Sequence, residues 1–440
     1  MKFYNREQEI GAMANTRKFS FNEHSLLTVL TGRRRIGKTS LIMKSCEGTP
    51  TVYLFVSRSI EADLCAKFTQ IIEKALEISV HGTFTGFAKL FEFLMDTGKT
   101  RSFNFIIDEF QEFFYINPSI YSSIQDIWDR YRKETNVNLI VSGSIYTLMH
   151  RIFQNYREPL YGRADKFVKL SPFNTDTLKQ ILSDCNPNYS NDDLLALYTF
   201  TGGVPRYVEM FVNEKCLTTK KMVNCMLQND SVFINEGHTL LIQEFGKQYG
   251  SYFSILAAIA SGRNTVAEML QLFDKMSLGG LVSRLETDYE VIKKVRPILA
   301  KENSQTVRYE ISDNFLRFWF RYFWHNQQLI ETGNFPELAN IILADYSTYS
   351  GLTLERYFKQ KFMESMQFVN IGSYWETKGN QNEIDIVALR TGNRKAVAVE
   401  VKRQRKNYNA NDFAMKIEHL KNKVLRGYEI EQICLSLEDM

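Results

Sequence analysis

The sequence predicts a multidomain α/β protein. A parallel five-stranded sheet leads, followed by a cluster of short helices, three helices with a two-stranded wing, and a smaller α/β domain. Three observations carry this expectation. Five apolar runs, SLLTVLT (25–31), TVYLFVS (51–57), FNFIID (103–108), NLIVSGS (138–144) and KFVKL (166–170), alternate with helical patterns, as parallel sheets require. Residues 250–313 then spell helix, helix, helix, strand, strand. The last hundred residues interleave a helix, a hairpin, a helix and a strand. At 440 residues the chain exceeds one ordinary core, and the expected divisions are 1–170, 171–235, 236–325 and 326–440.

Composition narrows the function classes. An apolar content of 44% and a charged content of 24% describe a folded chain. A net charge of +4 permits a nucleic-acid partner without requiring one. Six scattered cysteines with no C-x-x-C pair indicate neither a zinc ribbon nor a disulfide framework. With no apolar leader and no run of about 18 apolar residues, the expectation is a cytoplasmic protein without a membrane partner.

The chemistry begins after the first strand. Gly32-Arg33-Arg34-Arg35-Ile36-Gly37-Lys38-Thr39, continuing into Ser40, satisfies G-x-x-x-x-G-K-[ST] between a strand and a helix. Glycines at these positions let backbone N–H groups wrap a phosphate at a helix N-terminus. Lys38 would reach the outer phosphates of ATP, and the Thr39 hydroxyl would hold Mg²⁺. The third run ends in Asp108 and Glu109. The first can reach Mg²⁺ and the second can polarise an attacking water. Ser142, at the tip of the fourth run, reads either as a polar γ-phosphate sensor or as a small strand-ending residue.

Taken in order, FYNREQEI, LTGRRRIGKTSLI, FIIDEFQEF, LIVSGS, PLYGRADKFVKLSPF and TGGVPRY resemble the archaeal-type ATPases, relatives of the AAA+ and signalling STAND NTPases. The resemblance implies a P-loop ATPase core with a helical lid. It places Arg6 and Glu7 near the nucleotide base or as a brace of the core, and makes Arg163 an arginine finger or sensor; the alternative for Arg6 and Arg163 is a surface salt bridge. Such a finger usually acts across a subunit boundary, which would make a homo-oligomer, though it can act within one chain. Gly203 and Pro205 would close the lid over the adenine, with Arg206 beside it. The run Arg33–Arg35 fits the family pattern.

Helical patterns at 250–260, 265–273 and 279–288, then EVIKKVRP and VRYEISD around the polar AKENSQT, form the order of a winged helix-turn-helix, which often docks on DNA. Lys293, Lys294 and Arg296 make the wing basic, whereas Arg284 on the third helix is offset by Glu286 and Asp288. NFLRFWFRYF is aromatic at helical spacing and reads as core.

EIDIVALRTGNRKAVAVEVKR (383–403) carries charges among strand residues. A hairpin turning between Gly392 and Asn393 pairs residues whose numbers sum to 785, so Asp385 faces Glu400 and Glu383 faces Lys402. Opposed carboxylates repel unless a cation intervenes, and Mg²⁺ or Mn²⁺ suits oxygen ligands. A solvated hairpin with a Glu383–Lys402 pair is the alternative. The family resemblance implies here a domain similar to PD-(D/E)xK nucleases, with a restriction-endonuclease-like α/β core. It adds Glu355, from the helical GLTLERYFKQKFMESM, to Asp385, Glu400 and Lys402. Six Lys or Arg against one Glu over 394–406 would meet a phosphate backbone, which makes DNA the expected partner. The functional expectation is an ATPase coupled to a metal-dependent nuclease-like domain. The alternative is a nucleotide-switched DNA-binding or signalling regulator whose nuclease-like domain is not catalytic.

Overall fold

The computed structural model describes residues 1–440 apart from 145, 246–248, 274–277, 377–381 and 393. Asn393, half of the expected turn, therefore lies outside the described residues. The chain forms two compact units, Asn5–Ser171 and Pro172–Met440, the second including Met1–Tyr4.

In the first unit the five expected strands are present as β1 (Leu26–Thr31), β2 (Thr51–Phe55), β3 (Phe103–Asp108), β4 (Val137–Gly143) and β5 (Lys166–Lys169). They lie in the order β2-β3-β4-β1-β5 with every neighbouring pair parallel. β3 and β4 are buried throughout, which explains their near-continuous apolar runs. Alternation along each strand divides the core. Leu27, Val29, Phe105, Ile107, Leu139 and Val141 pack into the larger cluster with helices Glu61–Leu76 and Phe87–Thr97. Leu30, Ile106 and Ile140 point to the other face, against Met13 of helix Glu7–Asn22 and Leu41 and Ile42 of helix Lys38–Ser45. Two buried asparagines interrupt the apolar pattern and are joined by one bond, Asn138 Nδ2 donating to Asn104 Oδ1 at 2.9 Å.

The second unit opens with five helices, Thr175–Cys185, Asn191–Thr201, Pro205–Asn213, Thr219–Met226 and Val232–Phe245. Helices Tyr249–Ala260, Val266–Leu270 and Leu278–Thr287 follow, then the antiparallel pair β6 (Ile292–Val295) and β7 (Arg308–Ile311). The aromatic stretch is core as expected: after Asn314–Phe318 a π-helical turn, Trp319–Trp324, buries Trp319, Phe320, Tyr322 and Phe323. A 30-residue helix, Phe335–Glu364, leads into β8 (Phe368–Tyr374), β9 (Ile384–Arg390), β10 (Lys395–Lys402), helix Ala410–Lys423 and β11 (Glu429–Ser436). This sheet has the order β11-β10-β9-β8. The β9–β10 pairs, Leu389 with Ala396 through Ile386 with Val399, all sum to 785, so the expected register holds. β8 was not anticipated: Asn370, Gly372 and Ser373 weaken its strand signal.

One hydrophobic cluster runs from Phe173 through Phe253, Trp319, Tyr357 and Val399 to Met440, so the segments 171–235, 236–325 and 326–440 share a core. The segment between β6 and β7 is also joined to the C-terminal sheet. Pro297 bridges Ser373 at the edge of β8, and Ile298 N donates to Ser373 O at 2.8 Å. Ile298 is 4% exposed among Tyr374, Ile384 and Val387. Gly372 permits the approach, since a Cβ there would meet Ile298 Cβ at 3.0 Å. Ile298→Ala should cost about 2–5 kcal/mol, the usual range for emptying such a site. Denaturant titration followed by tryptophan fluorescence would measure this, because all four tryptophans but Trp128 lie in the second unit.

Candidate functional site

The loop after β1 is shaped by backbone that side chains resist. Gly32 has φ 150°, and a Cβ there would lie 2.8 Å from Leu170 O. Gly37 is left-handed at φ 87° and begins helix Lys38–Ser45, while Arg35 adopts φ 69°. Lys38 is buried, its ammonium donating to Gly32 O at 2.8 Å and Arg33 O at 3.2 Å across the loop. Ile36 anchors the loop in the core, whereas Arg35, Thr39 and Ser40 are exposed.

Asp108 ends β3 with 3% exposure, and a buried carboxylate needs donors. Thr39 Oγ1 donates to its Oδ2 at 2.9 Å and Tyr53 Oη to the same atom at 2.6 Å. Ser142 Oγ and the Glu109 N–H, the latter at 3.0 Å, donate to Oδ1. Burial and the Asp108 carboxylate push the Tyr53 phenol up. Glu109 is left-handed at φ 55°, and its Oε2 accepts from Ser144 Oγ at 2.8 Å and from Gln111 Nε2. The Thr39 hydroxyl and Asp108 carboxylate together are hard oxygen donors at a phosphate-cradling loop, a set that fits Mg²⁺.

The structure thus brings Lys38, Thr39, Asp108, Glu109 and Ser142 into one site. Tyr53, Gln111 and Ser144 are additions. Tyr53 was legible in part: alternation puts Thr51, Tyr53 and Phe55 on one face of β2, and Phe55 pairs with Asp108. Arg6 is buried, with Nη2 on Ser171 O at 2.6 Å and Nη1 on Glu9 at 3.2 Å, contacts that match the bracing alternative. Burial lowers its pKa despite Glu9. Arg163 is held by Asp129 at 3.0 Å and the Tyr161 carbonyl at 2.9 Å. In the second unit Pro205 starts its helix, and Arg206 pairs with Glu209 at 2.9 Å. Gly203 has φ 76°, and a Cβ there would meet Phe173 O at 2.6 Å.

A second constellation lies within the second unit. Glu355, Asp385 and Glu383 line a cleft of about 200 Å³ whose walls include Arg308, Arg317 and Lys359. Asp385 Oδ2 accepts from Val401 N at 2.7 Å. Burial, then the Asp385 and Glu383 charges, push Glu355 up to about 8. Burial, against the Val401 N–H, takes Asp385 to about 6. Glu400, 6% exposed, turns to two ammoniums, Lys402 at 2.8 Å and Lys416 at 3.1 Å.

The Glu383–Lys402 ion pair of the solvated-hairpin alternative does not form. Lys402 reaches Glu400 two residues along its own strand, and Glu383 pairs with Arg308 at 2.5 Å. Lys416 was missed because nothing in helix Ala410–Lys423 alone marks which of its lysines reaches Glu400. Among the described residues, no group of three or more His, Cys, Asp or Glu side chains is arranged to hold a metal. The Glu355–Asp385 pair, mutually repelling oxygen donors, suits a divalent cation; Glu400 between two lysines does not join them.

Sheet order, loop and acidic strand define a P-loop ATPase domain. Residues 3–211 match a family described as an ATPase domain predominantly from Archaea, and residues 319–413 match archaeal and bacterial proteins of unknown function. An uncharacterized protein of Methanocaldococcus jannaschii is 32% identical over 409 residues, covering 91% of this chain and 87% of that one. The chain belongs to this family of archaeal-type ATPases. The Walker-type ATPase of Pyrococcus abyssi shares the fold, with a TM-score of 0.55 at 19% identity over 72% of this chain and 96% of that one. The Aeropyrum pernix ORC2 protein, solved as ADPNP–ADP complexes, gives a TM-score of 0.49 at 14% identity over 78% and 96%. No helix among the described residues is long and apolar enough to cross a membrane.

The raised Glu355 carboxyl makes a pH prediction. Between the ordinary glutamate value of 4.5 and about 8 the folded state keeps a proton that the unfolded chain has lost, so stability falls as pH rises through that window. Glu355→Gln removes the penalty. In EDTA its melting temperature should exceed wild type above pH 8, with the gap closing toward pH 4.5. A constant gap across that range would contradict the assignment.

Proposed function

We propose that the chain binds and hydrolyses ATP with Mg²⁺, and that this cycle controls a metal-dependent nuclease-like centre acting on DNA. The observation that carries the first half is the convergence of Thr39, Tyr53 and Ser142 on Asp108 beside the glycine-bounded loop. Backbone N–H groups of the loop would cradle the phosphates and Lys38 would meet the outer ones. Thr39 and Asp108 would hold Mg²⁺, which supplies charge neutralisation on the phosphates. Glu109, released from Ser144 and Gln111, would orient water, and Ser142 would sense the γ-phosphate. Gly203, Pro205 and Arg206 would form the lid, and Arg163 would act as finger or sensor, in a homo-oligomer if it works in trans.

For the second half, Glu355 and Asp385 face one cleft, with Glu400 and Lys402 on the adjoining strand. Asp385 and Glu400 would hold Mg²⁺ or Mn²⁺ once Glu400 leaves its lysines, and Lys402 would stabilise phosphate charge. The wing, read as part of a winged helix, and the basic stretch 394–406 would contact the DNA backbone. A second reading has its own support: with both ammoniums on Glu400, the domain would serve a nucleotide-switched DNA-binding or signalling regulator without cutting.

ATPase and DNA-cleavage assays with Mg²⁺ and Mn²⁺, run in parallel, separate the two. Lys38→Ala should lose ATPase activity by roughly 10²-fold or more, and Glu400→Ala should lose cleavage with ATPase retained. Wild type that hydrolyses ATP and cuts neither DNA nor RNA would leave the regulator reading standing. Full ATPase activity in Lys38→Ala would overturn the nucleotide site.

A further inference from the structure

The cleft that holds Glu355 and Asp385 is also walled by cations, and most of these are already answered. Arg356 binds Glu310 at 2.9 Å and Ile311 O at 2.9 Å. Lys293 binds the same Glu310 at 3.1 Å, and Arg308 binds Glu383 at 2.5 Å while stacking 4.7 Å from the Trp375 ring centre. Two are not. Arg317 is 9% exposed, and no carboxylate among the described residues lies within ion-pair distance. Its contacts are the Thr353 hydroxyl at 3.3 Å and the face of Tyr349 at 4.8 Å. Lys359 likewise has no carboxylate at that distance, only Ser373 Oγ at 3.4 Å. Both line the cleft.

A buried guanidinium with no carboxylate in direct contact keeps donors to offer, and the cost of its burial falls when an anion reaches them. Arg presents a planar fork of donors that matches two phosphate oxygens, and Lys adds a compact point charge. The space is small. About 200 Å³ is below the size of common drug-sized pockets, enough for a phosphate and its sugar but not for a duplex.

We infer that Arg317 and Lys359 form a phosphate-binding subsite that seats one backbone phosphate of a single DNA strand beside Glu355 and Asp385. This rests on the nuclease-like reading of the cleft and extends it. The substrate class is a single strand or a frayed end rather than an intact duplex. Lys293 of β6 and Arg308 of β7 line the same cleft, so the strand would lie between the β6–β7 pair and the C-terminal sheet.

The test is fluorescence anisotropy of the full chain with a labelled single-stranded DNA oligonucleotide, in EDTA so that no cleavage intervenes. The variants are Arg317→Met, Lys359→Met and Arg317→Lys. Arg317→Met removes a buried charge that has no direct ion pair, and its circular dichroism and melting temperature would establish that the variant is folded. Both Met variants should weaken binding about 10-fold and reduce the salt slope by about one, and Arg317→Lys should recover part of the loss. A blunt duplex should bind more weakly than the single strand and be indifferent to both substitutions. Folded Met variants that keep wild-type affinity and salt slope would overturn the subsite. Tighter, Arg317-dependent binding of the duplex would overturn the single-strand assignment, and of an RNA oligonucleotide the DNA assignment. Binding that depends on Arg317 without cleavage under Mg²⁺ or Mn²⁺ would sustain the subsite and remove only the nuclease reading. Cleavage that ignores both variants would do the reverse.

Discussion

A carboxylate buried at the end of a central strand must be met by donors, and in the first unit that requirement falls on Asp108. Its donors come from the helix after β1, from β2 and from β4. Those elements converge only if β2, β3 and β4 lie side by side in parallel, with the loop after β1 opening at the same edge. The buried runs of β3 and β4, the asparagine pair between them and the two-faced core around them all serve that geometry. The Thr39 hydroxyl and the carboxylate are thereby paired beside the glycine-bounded loop.

The second unit is governed by charge held in a confined space. Ile298 seats the segment after β6 against β8, and Lys293 and Arg308 share one cleft with Glu355, Glu383 and Asp385. Most charges then find a partner. The exceptions are instructive, because solvation cannot reach them freely. Glu355 answers by moving its titration upward, and Arg317 by resting on the face of Tyr349.

Much of this was legible in the residues. Long buried strands announce themselves by β-branched and aromatic runs, and the loop after β1 by glycines that its backbone angles require. The hairpin register followed from turn chemistry and period-two alternation, and the pairs in β9 and β10 obey it. Less legible were the side chains' choices among several reachable partners. Glu383 could meet Lys402 across the hairpin or Arg308 of β7, and only the docking of the β6–β7 pair decides for Arg308.

The sequence by itself determined local conformation and strand pairing, since both depend on residues near in the chain: the phosphate loop, the five strands, the helices and the register that puts Asp385 opposite Glu400. Tertiary structure alone decided which distant groups meet. Tyr53 reaches Asp108, Lys416 reaches Glu400, and Arg317 lies buried 38 residues before Glu355, beside it in one cleft. Such meetings depend on how packed elements orient their faces, and hydrophobic periodicity reports that a face is buried without reporting what covers it.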